Sequence, residues 1–242
     1  MTSVGDDLKI KIAKALAELR DAVSRFAPVA FASSMGAEDM VLTDLIYRHN
    51  LDIEIFTIDT GRLPPETHAL IAAAAAHYGQ TATVYVPRAE SVEGFVSTYG
   101  INGFFDSIDA RKACCHARKV EPLRRALAGK RAWVTGLRSG QSSTREALLS
   151  STFDEGNGLQ KINPLAQWSD TEVWEYLRSN DVPYNALHDQ NFPSIGCAPC
   201  TRAIQPGEDI RAGRWWWENP DTKECGLHMV DGRLQRIKTG TT

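Results

Sequence analysis

The chain has 242 residues and contains no apolar run that approaches the roughly 20 residues of a bilayer-spanning helix. It also has no excess of positive charge, since 27 Lys and Arg face 30 Asp and Glu and leave a net charge of −3. That balance gives no whole-molecule nucleic-acid-binding footprint. The sequence contains no internal repeat. It also has no apolar N-terminal signal segment, and this absence together with free thiols predicts a cytoplasmic protein. We therefore expect neither membrane nor nucleic acid as a partner, while a homo-oligomer is left open.

Cysteine is scarce, and the positions of the five cysteines are the most informative feature present. A disulfide framework is disfavoured, because a chain of this length can bury a core without covalent staples. Cys114 and Cys115 are adjacent, and Cys197 and Cys200 form a C-x-x-C pair. Cys225 stands alone near the C-terminus. This division predicts four ligands for a metal centre and one separate cysteine nucleophile.

The spacing of the first four cysteines favours an iron–sulfur cluster without excluding other interpretations. Zinc sites normally use C-x2-4-C spacing at both ends, whereas this chain begins with two adjacent cysteines. Adjacent side chains point in different directions on a strand or a helix, and so reach two corners of a cube more easily than one small ion. A cluster tolerates varied spacing. Zinc and a metal-free arrangement remain alternatives at this point.

Apolar runs alternate with helical periodicity through the first half of the chain. Strands are predicted at residues 28–32, 53–58, 81–86 and 132–135, with amphipathic helices between them and an opening helix from Leu8 to Val23. Such alternation predicts an α/β fold with a parallel, twisted sheet flanked by helices. We expect one α/β domain over residues 1–205 and a C-terminal tail over 206–242.

Three polar segments follow the predicted strands, where parallel sheets bind their ligands. Residues 33–39 (Ser-Ser-Met-Gly-Ala-Glu-Asp) resemble an anion-binding turn at a helix start, although Ser33 or Ser34 could equally be a helix cap. This is not a Walker A loop, because no Gly-Lys-Ser/Thr follows. Residues 59–62 (Asp-Thr-Gly-Arg) fit a structural turn, with Gly61 as the turn glycine and Asp59 as a cap for the next helix, or a contact with a nucleotide ribose or base. Residues 136–145 offer two arginines for an anion, or form a solvated loop.

Cations also surround the cysteine pair in residues 111–119, Arg-Lys-Ala-Cys-Cys-His-Ala-Arg-Lys. Such charges favour thiolates and an anionic centre, although a basic helix face with packed cysteines is the simpler alternative. His116 is interpreted as a neighbour rather than a ligand, because four cysteines suffice. Arg211 and Arg214 precede three consecutive tryptophans and form a second candidate anion clamp. The tryptophans are interpreted as packing residues, with a nucleobase platform as the alternative.

Taken in order, these motifs resemble the assimilatory adenylyl-sulfate and phosphoadenylyl-sulfate reductases, a family with the PP-loop adenine-nucleotide alpha-hydrolase-like (Rossmann-like) fold. The resemblance runs from about Phe31 to about His228. Residues 33–39 look like the family's PP-loop variant, with Met35 a departure from the usual residue. Residues 59–61 resemble its strand-end motif and residues 136–145 its arginine loop. Residues 224–228 (Glu-Cys-Gly-Leu-His) look like its nucleophile motif.

The resemblance implies the cluster-bearing class of this family, in which Cys114, Cys115, Cys197 and Cys200 hold a 4Fe-4S cluster. It implies Cys225 as the nucleophile that forms an S-sulfocysteine from adenylyl sulfate, with thioredoxin as the electron donor. The substrate-binding residues that it implies, by their positions in the family's motifs, are Ser33, Ser34, Gly36, Asp59, Gly61, Lys119, Arg138, Arg145, Arg211, Arg214 and His228.

Three rival functions remain at this point. The nearest is a phosphoadenylyl-sulfate reductase or an enzyme that accepts both nucleotides. A tRNA-thiolating enzyme of the PP-loop type would also carry a cluster, but the net charge of −3 and the 224–226 tail argue against it. A non-catalytic redox sensor with a cluster or zinc would leave Cys225 and the arginine loop without a role.

Overall fold

Strands and helices alternate along the chain because short, doubly buried apolar runs are separated by amphipathic segments. The computed structural model describes residues 4–141 and 148–219. The strands are β1 (Val29–Ala32), β2 (Ile53–Ile58), β3 (Thr83–Tyr85), β4 (Ala132–Val134), β5 (Ser151–Asp154) and β6 (Leu159–Ile162). The α-helices are α1 (Val4–Phe26), α2 (Ala37–Arg48), α3 (Pro65–Tyr78), α4 (Ala89–Tyr99), α5 (Ile108–Cys115), α6 (Glu121–Leu127) and α7 (Asp170–Ser179).

The six strands form one sheet in the order β3-β2-β1-β4-β6-β5. Every neighbouring pair is parallel except β5 with β6, which is antiparallel. The predicted parallel α/β sheet is therefore confirmed, and its four predicted strands are present. The β5–β6 pair was not predicted, because its strands are short and β5 is largely exposed.

Alternate residues of the central strands pack on opposite faces of the sheet. Val29 and Phe31 of β1 lie in one apolar cluster with α1, α2 and α7, whereas Ala30 lies in a second cluster with α6. Trp133 of β4 joins the second cluster, and its neighbours Ala132 and Val134 join the first. Helices thus cover both faces, as the side-chain alternation of a buried strand requires.

β1 is the point at which the strand order reverses, since later strands are added on both of its sides. In open parallel sheets ligands bind in the crevice outside the carboxyl ends of the strands at such a point. The loops after β1 and β4, which are neighbours in the sheet, therefore border the expected binding crevice.

Residues beyond the predicted domain boundary at 205 pack onto the body as far as they are described. Thr201 forms a β-bridge with Arg214, and the Arg202 amide donates to the Gly213 carbonyl at 3.0 Å. The division at 205/206 stays a prediction, and residues 220–242 lie outside the described part.

Among the described helices, none combines the length and the apolar character needed to cross a bilayer.

Candidate active site

The loop after β1 forms a tight turn into α2. Helix α2 begins at Ala37 with Gly36 as its N-cap, so neither Ser33 nor Ser34 is the helix cap. Gly36 has no side chain with which to cap, which leaves the first turn of α2 suited to an external anion. Met35 adopts a left-handed backbone with φ of 62° and is buried. A non-glycine residue in this conformation is uncommon and stores strain of the kind found at binding sites.

Asp39 holds this loop in place from the first turn of α2. Its Oδ2 accepts hydrogen bonds from the Ser34 amide and the Ser34 hydroxyl, both at 2.6 Å. Its carboxylate also accepts from the Gly136 amide, in the loop after β4. Burial raises the pKa of Asp39 to about 6, although these hydrogen bonds oppose the shift. Asp39 thus joins the two loops that border the crevice, a role that the sequence did not reveal.

Arg138 makes its described contacts within the protein. Its Nε donates to Glu38 Oε1 at 2.8 Å, and its Nη2 lies 3.1 Å from Asp170 Oδ1. The side chain is 5% exposed, so these pairs tie the start of α2 to the start of α7. The binding role predicted for Arg138 stays a prediction, and the geometry adds a positioning role. Arg145, the second predicted arginine of this loop, lies outside the described residues.

The segment after β2 is a turn whose polar groups are largely satisfied internally. The Gly61 amide donates to Asp59 Oδ1 at 2.8 Å, and His68 Nε2 lies 3.0 Å from Asp59 Oδ2. Gly61 has a φ of 69°, which a residue with a side chain rarely adopts. These contacts support the turn interpretation, but Asp59 is not a helix cap, because the N-cap of α3 is Pro64. Nucleotide contacts by Asp59 and Gly61 stay a prediction.

All four cysteines predicted as ligands border a single cavity, although 82 residues separate Cys115 from Cys197. Cys114 and Cys115 end α5, which continues into a π-helix at His116–Val120. Cys197 and Cys200 flank a 3-10 turn, Ala198–Cys200. None of the four is joined in a disulfide within the described residues. A π-turn adds a residue to the helix and is frequent at functional sites, where it redirects side chains.

The described cysteines are not arranged around a single ion. Tetrahedral zinc with Zn–S bonds near 2.3 Å requires sulfur atoms about 4 Å apart. Within residues 4–141 and 148–219, no three His, Cys, Asp or Glu side chains are placed to hold a single metal ion. The arrangement of the described side chains therefore does not match a tetrahedral zinc site.

The cavity is strongly cationic. Besides the cysteines, its lining includes the five cations Arg62, Arg111, Arg118, Lys119 and Arg214. Burial raises the pKa of Cys114, and burial together with Cys197 raises the pKa of Cys200 to about 12. Burial also opposes ionisation of Cys197. Lys119 and a hydrogen bond from Thr60, with weaker contributions from Arg214 and Arg118, outweigh it and lower the pKa of Cys197.

Trp215 provides a test of what this cavity can hold. It is 1% exposed and lines the cavity, and its buried Nε1–H has no hydrogen-bond partner in the described part of the chain. A buried donor without an acceptor is costly, so an acceptor at this place would be stabilising. Four cysteine sulfurs, the surrounding cations and an unsatisfied indole donor together fit an anionic, sulfur-rich cluster.

Short contacts join the cysteine cavity to the end of β2. Thr60 Oγ1 lies 3.2 Å from Cys197 Sγ, and Arg118 Nη1 donates to the Thr60 carbonyl at 2.7 Å. The Ala198 amide donates to the Arg62 carbonyl at 2.8 Å. The cavity therefore adjoins the carboxyl ends of the strands, where the loop after β1 also lies. Sequence reasoning missed Thr60, although its place between Asp59 and Gly61 in a strand-end motif was a signal.

The two arginines before the tryptophans occupy different environments. Arg214 is buried, donates to the Ile195 carbonyl at 3.1 Å and lies over Trp215, 4.8 Å from the ring centroid. Arg211 is half-buried, and its amide donates to Asp209 Oδ1 at 2.8 Å. Lys119 and Arg214 both line the cavity. Their contact with substrate stays a prediction, and Cys225 and His228 lie outside the described residues.

A buried ion pair that the sequence did not reveal lies beside the cavity. Arg111 Nε and Nη2 donate to the two carboxylate oxygens of Glu218 at 2.5 and 2.9 Å. The two side chains are 1% and 4% exposed. Arg111 also lies over Trp215, 4.6 Å from the ring centroid. Because 107 residues separate the partners, no local pattern could indicate this pair.

Comparison with known proteins agrees with this geometry. Curated adenosine 5'-phosphosulfate reductases are similar over nearly the whole chain. That of Allochromatium vinosum is 57% identical over 223 residues, with 92% of this chain and 87% of the relative covered. That of Burkholderia cepacia is 50% identical, with 95% and 92% covered.

Solved structures show the same fold. The phosphoadenylyl-sulfate reductase of Candida auris, in a phosphate complex, aligns with a TM-score of 0.68 at 29% identity and covers 84% of this chain and 98% of its own. Yeast FAD synthetase aligns with a TM-score of 0.56 at 17% identity, covering 84% of this chain and 69% of its own, which shows the fold alone. The phosphoadenosine phosphosulfate reductase domain family matches residues 28–203. The chain belongs to this family.

Proposed function

We propose that the chain is an adenylyl-sulfate reductase, which converts adenosine 5'-phosphosulfate to sulfite and AMP in sulfate assimilation and cysteine biosynthesis. The observation that carries this proposal is the 57% identity to an adenosine 5'-phosphosulfate reductase over 92% of the chain. The site supports it, because a loop suited to an anion and a cationic cavity lie at adjacent strand ends. Free thiols support a reducing cytoplasmic location.

A 4Fe-4S cluster would be held by Cys114, Cys115, Cys197 and Cys200. Its support is the shared cavity, the five cations around it and the unsatisfied Trp215 indole donor. When bound, the cluster would tune the charge and shape of the site beside the substrate. Thr60 and Lys119 favour the thiolate of Cys197.

The nucleotide would lie outside the carboxyl ends of β1, β2 and β4. The amides at the start of α2 and the loop of Ser33, Ser34 and Gly36 would bind along one side. Lys119, Arg211 and Arg214 would neutralise the phosphosulfate oxygens, with Arg138 and Arg145 contributing from the loop after β4. Neutralisation is required because the reaction brings a thiolate anion to a dianionic substrate.

The chemistry would begin when the Cys225 thiolate attacks the sulfur of the sulfate group. The new S–S bond forms as the bond between that sulfur and the phosphate oxygen breaks, and AMP leaves with the electron pair. Cys225 is left as an S-sulfocysteine. A dithiol, proposed to be thioredoxin, attacks the Cys225 sulfur and displaces sulfite. The second thiol then resolves the mixed disulfide, so that thioredoxin is oxidised and Cys225 regains its thiol.

The two kinds of cysteine can be separated by intact-protein mass after incubation with adenylyl sulfate and no reductant. Wild type should gain about 80 Da, the mass of one captured SO3 group. Cys225→Ser should gain nothing while it keeps the visible absorption of the cluster, because a serine hydroxyl is far less ionised. Cys197→Ser should instead lose iron and acid-labile sulfide, and lose activity with them.

The same measurements can contradict the proposal. A Cys225→Ser protein that gains the same mass, or turns over at the wild-type rate, would show that Cys225 is not the nucleophile. Protein purified without air that contains stoichiometric zinc and no acid-labile sulfide would rule out the cluster.

A further inference from the structure

Five large apolar side chains are exposed close to one another on the surface beside the cysteine cavity. Within this set, Phe105 and Trp216 form a ring contact with centroids 6.4 Å apart, and the turn that carries Phe105 packs on the end of α4. Isolated exposed apolar residues are ordinary, whereas a group is typical of an interaction surface. The members of this apolar patch, with exposed fractions, are Tyr99 (41%), Ile101 (59%), Phe105 (41%), Ile108 (37%) and Trp216 (41%).

The apolar patch is supported from beneath by the wall of the cavity. Phe104, the neighbour of Phe105, lines the cavity and is 2% exposed. Arg62 lies over the Phe104 ring, 5.4 Å from its centroid, and donates to the Ile101 carbonyl at 2.7 Å. The patch is therefore built on buried, hydrogen-bonded structure rather than on an isolated loop.

The described part of the chain ends at Asn219, close to this patch, and Cys225 follows six residues later in the sequence. Glu218 is fixed by its two hydrogen bonds to Arg111, and Trp215 is buried between Arg111 and Arg214. Moving Glu218 would leave a buried charge unpaired, which is strongly unfavourable. Glu218 therefore anchors the end of the described chain, and Trp216 of the patch is only two residues before this anchor.

The anchor limits where Cys225 can be reduced. Cys225 is seven residues beyond Glu218 (225 − 218), so a fully extended chain places it at most about 25 Å from the anchor. Any protein that attacks the Cys225 sulfur must come within this radius. The apolar patch lies within this radius, because Trp216 is two residues before Glu218 and contacts Phe105.

We propose that the apolar patch is the docking surface for the thioredoxin-type protein dithiol that reduces the S-sulfocysteine. This inference rests on the proposed function. Aromatic residues are enriched at protein interfaces, where a few of them dominate the binding energy. The exposed carboxylates Asp106 and Asp109 adjoin the patch and supply the polar rim that such interfaces have.

The test compares protein and small-molecule reductants on two patch variants, Ile101→Glu and Trp216→Ser. With thioredoxin as the reductant, KM for thioredoxin should rise roughly tenfold, the loss expected for one interface anchor. With dithiothreitol, the rate of sulfite release should equal that of wild type, because a small thiol needs no docking surface. Formation of the S-sulfocysteine from adenylyl sulfate should also be unchanged.

Matched controls are Ile10→Glu on α1 and Phe153→Ser on β5. Their side chains are 61% and 60% exposed, and neither element carries a residue of the apolar patch. Both should keep the wild-type KM for thioredoxin. Ile101→Glu alters a side chain that is 59% exposed, so it keeps the test readable if Trp216→Ser does not fold.

Three outcomes would overturn the docking assignment. One is an unchanged KM for thioredoxin in the patch variants, and another is an equal loss with dithiothreitol. The third is dissociation of a wild-type oligomer by the patch variants with KM unchanged, measured by sedimentation, which would make the patch an interface between copies of this chain. A wild-type protein that forms no S-sulfocysteine would instead refute the proposed function.

Discussion

At the scale of single residues, Asp39 shows how a buried carboxylate shapes a binding loop at an energetic cost. It accepts hydrogen bonds from Ser34 and Gly136, yet burial raises its pKa from 3.8 to about 6. Because the folded-state pKa lies above the unfolded value, stability is highest below about pH 4 and falls as the pH rises through about 6. Ionised Asp39 therefore makes the protein less stable at neutral pH than it is with Asp39 protonated.

Asp39→Asn should remove this pH dependence. The free energy of unfolding of wild type minus that of the variant should decrease by about 2 kcal/mol between pH 4.5 and pH 7.5, since ionisation in the buried site is lost. Urea denaturation at matched pH values measures the difference. Asp52→Asn, at an exposed carboxylate, is the control. A difference for Asp39→Asn that does not change with pH would show that the carboxyl titrates normally.

At the scale of elements, the loop after β4 is fitted closely against the first turn of α2. A Cβ added at Gly136 would lie 2.1 Å from Asp39 Oδ1, whereas a Cβ added at Gly140 in the same loop would meet nothing within 4 Å. Nearby, Arg138 pairs with Glu38 and fixes the same turn of α2. The β1 and β4 loops thus form one unit, although about 100 residues separate them.

Gly136→Ala should displace Asp39 and disturb the Ser34 loop. We expect a loss of about 1–3 kcal/mol in the free energy of unfolding, the scale of overpacking, together with a lower kcat/KM for adenylyl sulfate. Gly140→Ala should stay within about 0.5 kcal/mol of wild type. Equal effects of the two substitutions on stability and on kcat/KM would contradict the close fit at Gly136.

At the scale of the whole molecule, three separate segments of the chain meet at the cysteine cavity. The end of α5, the C-x-x-C turn and Trp215 line it together with five cations. Without an anionic group between them, these cations repel one another and the buried Trp215 donor stays unsatisfied. The sheet around β1 has an apolar core that does not depend on the cavity.

Removal of the proposed cluster should therefore loosen one region rather than the whole molecule. Hydrogen exchange of protein stripped by a chelator under oxidising conditions should become faster in residues 103–120 and 195–219, because the contacts that hold these segments are weakened. The strands β1 and β4 should keep their protection. Uniform loss of protection, or no change around the cavity, would contradict this division.

The sequence alone determined the features that depend on local pattern. Apolar runs and periodic helices predicted the parallel sheet, since strands buried on both faces must be apolar. The four-plus-one division of cysteines separated Cys225 from the four that border the cavity, because residue type and spacing restrict what a site can bind. The order of the motifs indicated the family before any contact was known.

Only the tertiary structure decided which side chains meet. The Arg111–Glu218 pair, the contacts of Arg138 with Glu38 and Asp170, and the joining of Thr60 to Cys197 all span long stretches of chain. The π-helix at His116–Val120 and the β5–β6 pair likewise escaped the sequence pattern, as neither has a strong local signal. Such features arise from packing between distant segments, which local propensity and periodicity do not encode.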